Sequence, residues 1–286
     1  MEIFLSVYFI LMSGIFGVVI GSFLNVVIYR LPAGRTIVKG HSMCMTCGHN
    51  LAAKDLIPII SWASLHGKCR YCGAPIASRY TKIESFTGIS FLIASIGIYK
   101  YASPAIVNLG FNLYTFFMLY FVSYVLCLAA VISAMMIYFD TGKGFAATAV
   151  WSGICGALSV SLPHIFIDTI DTTRPGFDIM GLLTDAGTAL LRLAAVAVIT
   201  FVLFKIFGKE YSKDDLCLDI TLGVIPLYGF FYMFANRWIE YGIYAVVYGI
   251  IRAIAKSGKY DKYIGIVTVC ALQLLSVIHI IYMGIK

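Results

Sequence analysis

Eight long apolar runs divide the chain, at about residues 3–29, 83–99, 112–139, 144–163, 180–207, 219–235, 239–254 and 264–285. A helix needs about 20 mostly apolar residues to cross a bilayer. Within hydrocarbon only helices and closed barrels satisfy the backbone. Barrel strands alternate inward and outward over about 10 residues, whereas these runs are continuous. The expectation is an all-α polytopic membrane protein of about eight transmembrane helices. The two runs flanking Asn236-Arg237-Trp238 are the shortest. Composition agrees: 60% of the 286 residues are hydrophobic, 12% are charged, and the mean hydropathy is +0.91. Soluble domains carry about 25% charged residues. The first run lacks a basic leading region and exceeds a signal-peptide core, so it reads as a retained span.

One extended polar stretch, residues 30–82, interrupts the pattern. It sets the expected organisation: a first transmembrane helix over 1–29, a loop domain over 30–82, and a membrane-embedded domain of about seven helices over 83–286. Orientation follows from Lys and Arg. Eight spans put 16 of the 21 basic residues on the face of the 30–82 loop, and only Lys100, Arg174, Arg237 and Lys286 on the other; Arg192 falls within a span. The loop is therefore expected in the cytoplasm, with both termini outside. The +7 net charge then implies contact with anionic lipid headgroups. The basic residues are spread over four loops, which argues against a nucleic-acid partner. Residues 164–179 are expected as an outer, solvated acidic loop carrying Asp168, Asp171 and Asp178.

Two C-x-x-C pairs, Cys44-Met-Thr-Cys47 and Cys69-Arg-Tyr-Cys72, lie 21 residues apart within the polar loop. Each such turn aims two thiolates at one point, and two turns complete a tetrahedral zinc site. Gly48 and Gly73 follow the second cysteine of each pair, where a tight turn favours glycine. Two disulfides are the alternative, and a reducing cytoplasm disfavours them. A closed four-sulfur site is structural, fixing a loop too small to fold alone. Cys127, Cys155, Cys217 and Cys270 are scattered and read as small core residues.

Three stretches resemble the bacterial type IV prepilin peptidases: Gly21-Ser22-Phe23-Leu24-Asn25-Val26-Val27-Ile28-Tyr29-Arg30-Leu31-Pro32, the Cys44 to Cys72 region with Asp55-Leu56-Ile57-Pro58-Ile59-Ile60-Ser61-Trp62, and Arg79-Tyr80-Thr81-Lys82-Ile83-Glu84. The resemblance is dense over about residues 15–90. It implies a membrane-embedded aspartic peptidase that cuts the basic leader from prepilins or prepilin-like proteins at the cytoplasmic face. It also implies methylation of the new amino terminus by S-adenosylmethionine, with Arg79 and Glu84 in the region concerned. By the same resemblance one catalytic aspartate follows the third span, at Asp140. The second belongs to a Gly-x-Gly-Asp motif before the sixth, and counting back from Gly223 puts it at Asp215. Here the sequence departs from the family: Ser212-Lys213-Asp214-Asp215-Leu216-Cys217 has neither glycine, and Cys217 replaces the lysine two residues on. After Asp140, Gly144-Phe145-Ala146 stands where a Pro-Asp is usual.

The chemistry asks for two carboxylates at one depth, whose mutual repulsion keeps one ionised and one protonated. Asp140 and Asp215 both fall at cytoplasmic ends of spans. Asp214 and Asp219 stay open as the second acid, and Asp219 lies one turn beyond Asp215 on the same helix face. Glu210, Asp214, Asp215 and Asp219 form an acidic cluster on a basic face, which would draw a basic leader. Asp185 and Arg192, two turns apart in the fifth run, read as structural. Two further readings stand beside the peptidase. One is a non-catalytic prepilin-binding relative, motivated by the missing glycines. The other is a transporter with a zinc-stabilised loop, which would need more ionisable residues at mid-membrane.

Overall fold

The computed structural model describes residues 2–109, 111–170, 179–224, 237–256, 258 and 260–285. Nine helices occur among them: α1 Glu2–Arg30, α2 Ile60–Ser64, α3 Arg79–Leu109, α4 Phe111–Thr141, α5 Ala146–Ile170, α6 Ile179–Ile206, α7 Lys213–Gly223, α8 Arg237–Ala255 and α9 Ile264–Ile285. The described residues contain no strand beyond two isolated bridges, Met43 to Asn50 and Lys68 to Pro75. The protein is an all-α membrane protein, as its apolar runs require. Over described residues, four segments are long and apolar enough to cross a bilayer: Val7–Arg30, Arg79–Tyr99, Phe121–Thr141 and Leu183–Ile206. Ala146–Leu158 and Tyr241–Ala255 are shorter apolar stretches. Most of the run 219–235 lies outside the described residues.

Two compact units form, Met1–Ser95 and Ile96–Lys286, the boundary falling inside α3. In the first unit α1 and the start of α3 run antiparallel with their backbones close. A Cβ on Gly21 would lie 2.7 Å from the Glu84 Cα, and one on Gly17 would lie 2.9 Å from the Gly88 Cα. Small residues are what let helices approach this closely in a membrane. Ser13 donates to Ser95 at 2.8 Å, and Asn25 donates to the Tyr80 carbonyl at 3.3 Å. Beyond α1 the Arg30 guanidinium gathers the carbonyls of Thr36, Lys39, Gly40 and His41, which folds the loop back on itself.

In the second unit α4 packs on α5, α5 on α6, and α6 on α8. Short α7 sits among α4, α5, α6 and α9. That position explains the burial of Asp215, Cys217, Leu218, Asp219, Thr221 and Leu222.

The structure corrects two sequence boundaries. The expected acidic loop from residue 164 is helix as far as Ile170, because His164-Ile165-Phe166-Ile167 prolongs the apolar run. Pro163 within α5 is tolerated as prolines are in membrane helices. Asp168 therefore lies on α5, while Asp171 and Asp178 fall outside the described residues. The sixth run begins earlier than residue 219. Ser212 caps α7: its hydroxyl accepts the Asp215 N–H at 3.2 Å, and the Asp215 carboxylate accepts the Ser212 N–H at 2.9 Å. This capping box satisfies otherwise orphaned amides and starts the helix at Lys213.

Candidate active site and metal centre

The two C-x-x-C turns have the same local fold. In the first, Cys44 N–H donates to the His49 carbonyl, Gly48 N–H to Cys44 and Leu51 N–H to Ser42. In the second, Cys69 N–H donates to Ala74, Gly73 N–H to Cys69 and Ile76 N–H to Gly67. Gly48 and Gly73 have φ of 69° and 70°, a conformation that favours glycine. Asp55 braces the second turn from outside, accepting from Arg70 Nε at 2.6 Å and from Tyr71 Oη at 2.9 Å. The Arg70 bond, aided by Tyr71, outweighs burial and holds the Asp55 carboxyl below its usual range. The His49 and Tyr71 rings meet at 3.6 Å.

All four sulfurs lie within 4.8 Å of one another. The Cys44 and Cys72 sulfurs are 3.9 Å apart, and all four of these cysteines are thiols. A disulfide would require about 2.05 Å. Four sulfurs about 2.3 Å from a central ion sit about 3.8 Å apart at the corners of a tetrahedron, so this cluster can hold a metal ion. The backbone N–H groups of Cys47 and Thr46 pull the Cys44 thiol down to about 6. The Ala74 amide works the same way on Cys72, but burial and the other three thiols push it up to about 12. Four thiols this close resist joint ionisation until a cation joins them.

The expected acids separate by environment. Asp140 is exposed in the last turn of α4. Gly142, at φ 66°, ends that helix, its N–H donating to Tyr138. The link then presses against α7: a Cβ on Gly144 would overlap the Asp214 carbonyl oxygen and lie 3.1 Å from the Cys217 Cβ. Glycine is required here for close backbone approach. It brings the end of α4 to the first turn of α7.

Asp215 and Asp219 are fully buried, on successive turns of α7. Oδ1 of Asp215 accepts from Arg252 at 2.7 Å and from Lys256 at 2.5 Å, and Oδ2 accepts from the Ser212 hydroxyl at 2.6 Å. Burial raises the Asp215 carboxyl, but Lys256, Ser212 and Arg252 more than offset it and hold it below its ordinary range. Asp219 accepts from Tyr211 at 2.8 Å, Tyr248 at 2.7 Å and Arg252 at 3.3 Å. Arg252 also reaches Asp261 at 2.9 Å and Tyr138 at 3.3 Å. Tyr138, two residues before Asp140, donates to Asp261 at 3.0 Å.

The acidic cluster is thus not the open attractor its sequence suggests. Two of its four carboxylates are neutralised internally, leaving exposed Glu210 and half-exposed Asp214 to face solvent. Neither family glycine nor lysine is needed to explain how Asp215 is held, since Arg252 of α8 and Lys256, the residue after that helix, hold it. Sequence reasoning missed these two as partners. A signal existed: Tyr241, Tyr244, Tyr248, Arg252 and Lys256 recur at helical spacing, which marks one face. That face rides along α7, Tyr241 and Tyr244 donating to the carbonyls of Gly223 and Leu222. Of the remaining expectations, Arg192 is buried in α6, Asp185 half-buried on it, Arg79 opens α3, and Glu84 is buried on α3 with its Oε2 accepting the Ile59 N–H at 2.8 Å.

These features define a class: polytopic helical membrane proteins with a four-cysteine loop and aspartates at helix ends. Residues 15–98 match the model of the bacterial peptidase A24 N-terminal domain. The chain is 32% identical over 189 residues to the prepilin leader peptidase/N-methyltransferase of Vibrio cholerae, covering 61% of this chain and 72% of that protein. It is 48% identical over 77 residues to the protein of the same name in Myxococcus xanthus, covering 27% of this chain and 23% of that one. It is 36% identical over 98 residues to the type 4 prepilin-like proteins leader peptide-processing enzyme of Escherichia coli, covering 28% of this chain and 36% of that one. The chain thus spans about a quarter of the Myxococcus relative's length and just over a third of the Escherichia one's. No solved structure matches. The chain belongs to the prepilin leader peptidase/N-methyltransferase family.

Proposed function

We propose that this protein is an intramembrane aspartic endopeptidase that cuts the basic leader from type IV prepilins or prepilin-like proteins at the cytoplasmic face of the bacterial inner membrane. Asp140 and Asp215 are the acid pair. The observation that carries this reading is the contact of Gly144 with the first turn of α7, which brings the segment following Asp140 against Asp214. Asp215, stabilised as an anion, is the base that takes a proton from water, and Asp140 polarises and protonates the scissile carbonyl. Lys256, with 19% of its side chain exposed, is the outer of the two cations on Asp215, since Arg252 is fully buried. Its withdrawal frees Oδ1 for the attacking water, and Arg252 keeps the carboxylate in place. A leader's basic residues are drawn by exposed Glu210 and Asp214.

Zinc suits the sulfur cluster by donor type and spacing. Cys44, Cys47, Cys69 and Cys72 would hold it, and it would fix the loop rather than react. Family membership also implies S-adenosylmethionine-dependent methylation. Glu84 is buried and bonded to the Ile59 amide, so in this conformation it holds the loop instead of offering a carboxylate to a methyl donor. Methyl transfer therefore rests on family membership alone.

A second reading, a non-catalytic prepilin-binding relative, is favoured by one observation: both oxygens of Asp215 are already engaged. Incubating the detergent-purified, zinc-loaded protein with a model prepilin decides between the two. Mass spectrometry finding cleavage after the basic leader supports the peptidase. Binding without cleavage supports the relative.

A further inference from the structure

The loop meets the spanning pair at a strained turn. Ile59 has φ 60° and ψ −52°, and the Ile60 N–H meets the Pro58 carbonyl at 2.5 Å. This is a γ-turn, a rare and strained geometry, centred on a β-branched residue for which positive φ is an outlier. The Ile59 N–H donates to Glu84 Oε2, and Glu84 lies across from Gly21 in the tight α1–α3 contact.

That bond sets the depth of the turn. Gly21 is nine residues before Arg30, the end of α1, or about 13 Å at 1.5 Å per residue. Glu84 is five residues inside α3, or about 7 Å. Both lie within the spanning segments Val7–Arg30 and Arg79–Tyr99. The turn therefore dips below the helix ends instead of standing off in water. Its side chains suit that depth: Leu56 is 42% exposed, Ile57 45% and Ile60 64%. Tyr29, Tyr80, Lys54 and Lys82 are exposed at the rim, and Tyr and Lys are residues of the membrane–water boundary.

We propose that the Leu56–Ile60 turn is an interfacial anchor whose apolar side chains insert among phospholipid chains just below the headgroups. The engaged surface is lipid, because Glu84, inside the spanning part of α3, tethers the turn there while Leu56, Ile57 and Ile60 stay exposed. The anchor holds the metal-binding loop against the membrane surface, and it stands whether or not the chain is a peptidase.

The test uses the full chain in phospholipid nanodiscs. An environment-sensitive fluorescent amino acid replaces Ile57, Ile60 or, as a control, Val38, which is 87% exposed. Quenching is compared between lipids carrying a nitroxide near the headgroup and iodide in solution. The expected result is at least threefold stronger lipid-borne quenching at 57 and 60 than at 38, with iodide acting mainly at 38. Iodide quenching at 57 and 60 equal to that at 38 would overturn the proposal by placing the turn in water. Protection from both quenchers would overturn it by placing the turn against protein.

Discussion

Replacing Arg252 by methionine keeps much of the volume and removes the cation shared by three carboxylates. The side chain is fully buried and reaches Asp215, Asp219 and Asp261. Breaking a buried pair by deleting one partner costs about 3–5 kcal/mol. The lower end applies, because each acid keeps another donor: Lys256 for Asp215, two tyrosines for Asp219 and Tyr138 for Asp261. A loss of about 3 kcal/mol in a unit of this size lowers the melting point by about 6–12 °C, taking 2–4 °C per kcal/mol. Lys256→Met removes one peripheral bond and should cost about 1.5 kcal/mol. The assay is thermal unfolding in detergent. Adding Asp219→Asn to Arg252→Met should recover part of the loss, since Asn keeps an acceptor without the orphaned charge; a coupling of about 1–2 kcal/mol is expected. A melting point within about 2 °C of wild type for Arg252→Met would refute the view that this cation holds the cluster together.

Other outcomes follow from the same contacts. The folded Asp215 carboxyl is held below its ordinary range, so its stabilisation is complete above about pH 4 and is lost as pH falls through the folded value. Asp215→Asn should therefore melt well below wild type at pH 7, with the gap closing on acidification; a gap that widens in acid would be the wrong sign. Gly144→Ala forces backbone apart at Asp214 and should cost about 1–3 kcal/mol, with lost cleavage in protein that still folds. Cys69→Ser should abolish bound zinc measured by elemental analysis and expose residues 40–76 to protease, whereas Cys217→Ser should keep one metal per chain.

The helices were legible because hydrophobic runs report the bilayer directly, and the cysteine turns because their spacing is a local property. Boundaries at the polar ends were less so. The start of α7 depends on a capping box in which Ser212 and Asp215 serve each other, and Lys213-Asp214-Asp215 reads as loop until that exchange is noticed. Asp215 and Asp219 looked like an exposed acidic patch because their neutralising partners lie 33 to 41 residues later, in the last turn of α8 and just past its end. Composition cannot show which basic residue turns inward. Arg252 was grouped with the solvated cations of its face, although its place one turn beyond Tyr248 set it apart. The γ-turn at Ile59 had no sequence signal, since an isoleucine at positive φ contradicts its own preference and is held there by Glu84 from a distant helix.

The most direct test of the central claim is cleavage of a model prepilin by wild type and by Asp140→Asn, Asp214→Asn, Asp215→Asn and Asp219→Asn, each checked for folding and zinc content. The account predicts that wild type and Asp214→Asn cut, that Asp140→Asn and Asp215→Asn are folded and inactive, and that Asp219→Asn loses activity only to the extent that it loses stability. Cleavage that survives Asp215→Asn, or a folded wild type that binds prepilin without cutting it, would contradict the two-aspartate mechanism.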